Sequence, residues 1–207
     1  NEIDRPHTTI SLLTSSAKSP TGKLLMCASN AFIFNEHHGS EPRVIHEMWD
    51  NNMHLVKFSK KINAGDTYRY SIVGSSITSA HHDDPLNEAE RLTIFAKLQG
   101  RDRLVDMHKK AWDVLWKSDI VIEGDLQSQQ DVHSMIYHLY SFVREGNTNS
   151  PSPMGLSGLG YNGHVFWDTE LWMFPALLQL NPALAKGVIE YRFERLEAAK
   201  RNAYGKG

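Results

Sequence analysis

Apolar positions in the first part of the chain recur every second residue, and in the remainder every third or fourth. From about residue 7 to residue 79 the period is that of strands. Residues 7–14 are rich in Thr, Ile and Leu, and residues 23–34 form a second apolar run. Residues 43–62 predict two strands broken at Asp50-Asn51-Asn52, with Val56, Phe58 and Ile62 alternating with Lys57, Ser59 and Lys61. Residues 63–66 read as a turn, and residues 67–79 place Tyr68, Tyr70 and Ile72 on one face. Short strands joined by polar turns predict an antiparallel β-sandwich or part of one. After Ser79 the pattern predicts helices over residues 85–99, 102–117 and 128–144, with residues 119–123 as a single extended segment between them. Residues 146–163 read as a long Gly/Ser/Asn/Pro loop. Trp167, Leu171, Phe174 and Leu178 then fit a further helix. Asn181 as N-cap with Pro182 behind it opens a last helix to about Ala203. The fold class is α+β.

Composition narrows the function classes. Hydrophobic residues make up 41% and charged residues 22%, which is globular rather than disordered. The formal net charge is −2, from 22 basic and 24 acidic residues without a basic block, so neither nucleic acid nor an anionic membrane is an expected partner. No apolar run approaches the roughly 18 residues that span a bilayer. A soluble protein is expected, with cytoplasm and periplasm both open. The chain opens on Asn1, which reads as a processed or engineered start and leaves open whether a targeting segment preceded it. Cys27 is alone, so no internal disulfide forms, and its apolar surroundings make it a small core residue.

The chemistry concentrates in residues 152–175, which read SPMGLSGLGYNGHVFWDTELWMFP. Aromatic faces pack on the apolar faces of a pyranose, and a carboxylate accepts bonds from neighbouring hydroxyls. Trp167 beside Asp168 supplies both. The alternative is a core helix whose aromatics only pack, with Asp168 as a charge at the helix N-terminus. His164 either donates to a sugar hydroxyl or caps the aromatic packing. Residues 158–163 match G-x-G-x-x-G, but a Pro/Ser loop rather than a strand precedes them, so a dinucleotide fingerprint is set aside. Asp168 and Glu170 are not read as an acid–base pair, because a helix turns about 100° per residue and would point them apart. His37-His38 and His81-His82-Asp83-Asp84 read as solvated loops. Adjacent residues converge poorly on one ion, so no metal is expected.

From about Trp112 onward the chain resembles the family 65 glycoside hydrolases and phosphorylases. The resemblance rests on residues 112–116, on DIVIEGD at 119–125, on GLSG at 155–158, and above all on GHVFWDTELWMFP at 163–175; residues 191–203 continue it. SPMGLS and ELWMFP resemble the hydrolase branch more than the maltose or kojibiose phosphorylases. The resemblance implies the end of an antiparallel β-sandwich over residues 1–80, a helical linker over 81–118, and the first helices of an incomplete (α/α)6 barrel over 119–207. It implies cleavage of an α-glucoside, a disaccharide or other, by single displacement with inversion. Water attacks in the hydrolases and phosphate in the phosphorylases, without metal or organic cofactor. Trp167 and Asp168 match the family's substrate-contacting pair, and His164 and Glu170 join them as substrate-binding residues. The family's general acid, a Glu in a later motif, has no match in the 207 residues, so no catalytic residue is assigned. Twelve barrel helices need on the order of 250 residues, and about 90 follow Lys117. The chain alone is therefore expected to be inactive. A non-catalytic carbohydrate-binding module is the other reading. The apolar faces of residues 167–178 and 184–196 would stay uncovered, which makes a second copy of the chain an expected partner.

Overall fold

A computed structural model describes residues 10–36, 39–50, 53–158 and 160–206. It divides into two compact units, Asn1–Lys109 and Lys110–Gly207. In the first unit, strands β1 (Leu13–Lys18), β2 (Leu25–Phe34) and β5 (Tyr70–Thr78) form an antiparallel sheet in the order β1-β2-β5. Strands β3 (Ile45–Asp50) and β4 (Met53–Lys57) form a separate antiparallel pair. Leu13 pairs with Asn30, and Phe34 with Tyr70. Cys27, Ser29 and Ala31 alternate along β2 and are buried, as the period of two requires.

Helix α1 (Pro85–Gln99) packs against this sheet. Its start is set by Asp84, whose carboxylate accepts from Asn87 N at 3.1 Å, with Pro85 in the first turn. Buried Ala89 lets the helix approach closely. Thr93 Oγ1 donates to the Ser29 carbonyl at 3.0 Å, and Ser75 Oγ donates to the Ala89 carbonyl at 2.6 Å. The Thr93 and Ser75 hydroxyls at this interface are thus bonded rather than stranded. Helix α2 (Arg101–Leu115) follows Gly100, whose φ of 76° suits glycine.

In the second unit, α3 (Leu126–Ser141) starts at Asp125, which accepts from Gln127 N and Ser128 N; the Ser128 hydroxyl holds the Asp125 carboxyl below its usual range. A π-helical turn (Thr169–Met173) runs into α4 (Phe174–Leu180), and α5 (Pro182–Tyr204) follows after one residue. The core gathers Ile136, Tyr140 and Val143 with Leu177, Leu184, Ala185 and Val188. Gly187 is required there, since a Cβ would run into the Asn147 carbonyl.

The switch from strand to helix falls between Thr78 and Pro85, and no strand follows it among the described residues. Two local expectations change, at Phe58 and at the start of β1, while residues 119–123 stay a single unpaired segment. The strand alternation stops at Lys57, so Phe58 leaves the ladder and packs edge-on against Phe32, Phe34 and Tyr70 instead. Residues 119–123 pair with no strand, and Gln129 takes their backbone bonds at Ile122 N and the Ile120 carbonyl. The expected strand over 7–14 has its first part outside the described residues; β1 begins at Leu13. Leu177 is fully buried. Leu177→Ala is expected to lower the unfolding free energy by about 2–5 kcal/mol, measured by urea titration of the chain's tryptophan fluorescence.

Candidate functional site

Three of the four predicted site residues lie on the surface of a short segment built around buried Thr169. Thr169 is fully buried, and its hydroxyl donates to the Pro151 carbonyl at 3.0 Å, which ties the loop before the segment to it. Asp168 caps the π turn, with Oδ1 accepting from Thr169 N at 3.1 Å. Its Oδ2 has no hydrogen-bond partner among the described residues. Trp167 is 64% exposed, next to that carboxylate. An exposed indole beside a half-engaged carboxylate can stack on one face of a sugar and accept from its hydroxyls.

Glu170 points to a different partner. Its Oε1 accepts from Arg192 Nε at 2.7 Å, and its Oε2 from Arg192 Nη2 at 2.9 Å. The same Nη2 donates to the Phe166 carbonyl at 2.8 Å. The Glu170 carboxylate raises the Arg192 guanidinium above its ordinary value, against the opposing effect of burial. Asp168 and Glu170 therefore answer to different groups and share none.

His164 sits on a strained turn. Tyr161 and Asn162 have φ of 59° and 50°, left-handed values that non-glycine residues rarely take, and Gly163 continues at 73°. His164 N and Nδ1 both reach the Tyr161 carbonyl, at 3.0 and 2.8 Å. A carbonyl only accepts, so Nδ1 carries the proton. Nε2 takes no part in that bond. Phe166 stands between His164 and Tyr161, with ring centroids at 6.5 and 5.4 Å. Leu159, inside the G-x-G-x-x-G match, lies outside the described residues, as do His37 and His38.

An open apolar hollow of about 620 Å³ lies against α3, lined by Tyr137, His138, Phe142, Met154, Leu156 and Met173 among others. None of the four predicted site residues lines it. No group of three or more metal-ligating side chains occurs among the described residues, and no described helix is long and apolar enough to cross a membrane. Sequence reasoning missed Arg192 and Thr169, although both set the geometry of the segment. Thr169→Val keeps the shape and removes the bond to Pro151. It is expected to cost about 1–3 kcal/mol, read as a lowered urea midpoint.

Residues 133–207 match the model of the glycosyl hydrolase family 65 central catalytic domain. The chain is 71% identical over 204 residues to a kojibiose hydrolase of Mucilaginibacter mallensis, covering 99% of this chain and 30% of that protein. It is 56% identical over 201 residues to a kojibiose hydrolase of Flavobacterium johnsoniae, covering 97% of this chain and 30% of that protein. The chain thus spans about a third of the length of these curated relatives. A solved structure described as a candidate kojibiose phosphorylase from human microbiome shares the fold at a TM-score of 0.70 and 20% identity, over 93% of this chain and 25% of that one. The chain belongs to glycoside hydrolase family 65, and its residues 133–207 lie within that family's central catalytic domain.

Proposed function

We propose that the protein carrying this chain hydrolyses an α-linked glucose disaccharide, kojibiose foremost, by single displacement with inversion. The observation that carries this reading is the 71% identity to a kojibiose hydrolase over 99% of the chain. In this reading residues 1–80 close a β-sandwich, 81–118 link it, and 119–207 open an (α/α)6 barrel. Trp167 stacks on the glucosyl unit, and Asp168 Oδ2 accepts from its hydroxyls. His164 Nε2 and Glu170 complete the contacts. Bonds from sugar hydroxyls strengthen as the ring flattens toward an oxocarbenium ion, so an ionised Asp168 favours the transition state over the ground state. Inversion also needs an acid to protonate the leaving oxygen and a base to activate water on the opposite face. In this reading neither role falls to Asp168, which caps the π turn, or to Glu170, which Arg192 engages, and both come from outside this chain.

The assay uses the gene product that carries this sequence, incubated with kojibiose, nigerose, maltose and trehalose, with and without phosphate. Release of glucose from kojibiose independent of phosphate is expected. Glucose 1-phosphate formed only with phosphate would make it a phosphorylase, and binding without turnover would make it a sugar-binding module. Asp168→Ala removes a charge-assisted bond and is expected to lower kcat/KM by about 10- to 100-fold. An unchanged kcat/KM contradicts the contact.

A second expectation concerns the 207-residue chain expressed by itself. With Trp172 at 71% and Phe193 at 77% exposure, it presents apolar surface. It is expected to release no glucose from any of the four disaccharides, and to elute above the size of a 23.5 kDa monomer. Turnover that Asp168→Ala or Glu170→Ala abolishes would place the chemistry within these residues.

A further inference from the structure

Arg192 reaches the candidate site from another helix, and it does so on both sides of the sugar-facing pair. Its guanidinium holds the Phe166 carbonyl, one residue before Trp167, and both oxygens of Glu170, two residues after Asp168. Two donor atoms make three bonds, all between 2.7 and 2.9 Å. A planar fork presents these donors in one fixed geometry, whereas an ammonium is a compact point charge. The Phe166 carbonyl stands ahead of the π turn. Binding that carbonyl and the Glu170 side chain together restrains the stretch between them, which bears Trp167 and Asp168.

We propose that Arg192 is a positioning residue: its fork across Phe166 and Glu170 sets the orientation of Trp167 and Asp168 toward the substrate. This rests on the reading of Trp167 and Asp168 as sugar contacts. The alternative role is stability alone, and exposure argues against it. The side chains of Arg192 and Glu170 are 41% and 26% exposed, and ion pairs so open to water add little to folding. What such a pair fixes is geometry, and small misplacements at a reacting centre cost large factors in rate.

The test measures kcat and KM on kojibiose in the gene product that carries this sequence. The variants are Arg192→Ala, Arg192→Lys, Glu170→Ala, the double variant Arg192→Ala/Glu170→Ala, and Asp168→Ala. Arg192→Ala is expected to lower kcat/KM by about 10- to 100-fold with little change in melting temperature. Arg192→Lys keeps charge and stem without the fork, and is expected to show a comparable loss. The double variant is expected to lose less than the two single losses multiplied together, because Arg192 and Glu170 share one contact. Added guanidinium is expected to restore part of the activity of Arg192→Ala, where ammonium at equal concentration does not. A purely structural arginine would lower the yield of folded protein and leave kcat/KM intact. Full activity in Arg192→Lys, or in Arg192→Ala while Asp168→Ala is crippled, overturns the positioning role and leaves the sugar contact standing. Full activity in Asp168→Ala overturns the contact, and the positioning role with it.

Discussion

Asn181 accepts from Leu184 N at 3.3 Å while Pro182 fills the first turn of α5, so the chain ends α4 and begins α5 across a single residue. Asn181 N also donates to the Leu177 carbonyl at 2.7 Å, which closes the end of α4. Two helices joined so tightly fold back on each other, and positions equidistant from the turn face one another. Leu177 and Ala185 lie four residues before and after Asn181 and share one buried cluster. Glu170 and Arg192 lie eleven residues before and after it and form the fork. The apolar core and the polar clamp are thus two levels of one hairpin. The turn fixes both.

Pro175 explains why the segment entering that hairpin is not a plain α-helix. A proline has no N–H for the carbonyl four residues back, here Leu171, and its ring crowds that carbonyl. The backbone relieves the conflict by widening: Phe174 N donates to the Thr169 carbonyl, a five-residue step. The wider turn keeps Thr169 inside, bonded to Pro151, with Trp167, Leu171 and Trp172 outside. Three aromatic or aliphatic side chains at the surface would be a poor arrangement for burial. They suit a surface that meets something apolar on one face, as a pyranose does.

The sequence carried the parts of this that are periodic or local. The change of apolar period located the strand-to-helix switch, Asn181 announced its helix, and Cys27 is buried as its apolar neighbours suggested. The GHVFWDTELWMFP run led to the segment around Trp167. What was not legible depended on contacts across the chain. Phe58 continues the alternation of β4 by letter, yet it turns away because three aromatic rings offer it more contact than another ladder position. His164 Nδ1 donates to the Tyr161 carbonyl across a left-handed turn that no periodicity marks. The Arg192 fork joins residues 22 positions apart, and no periodicity marks it. One signal was present: with the turn placed at Asn181-Pro182, Glu170 and Arg192 are mirror positions of opposite charge.

Burial along α5 is uneven, and this bears on the role of its arginine. Leu184, Ala185, Gly187 and Val188 are buried in the first two turns, whereas Phe193 and Tyr204 are 77% and 88% exposed. Beyond Val188 the helix is supported by its own surface pairs, such as Lys200 with Glu197, and by Arg195 over the Tyr191 ring at 3.9 Å. Arg192 stands just past the last buried turn. A polar contact there cannot borrow rigidity from a core around it, so its direction must come from its own geometry. A guanidinium supplies that through three bonds in one plane. A lysine at the same place would keep the charge but present no planar fork to the Phe166 carbonyl and the two Glu170 oxygens.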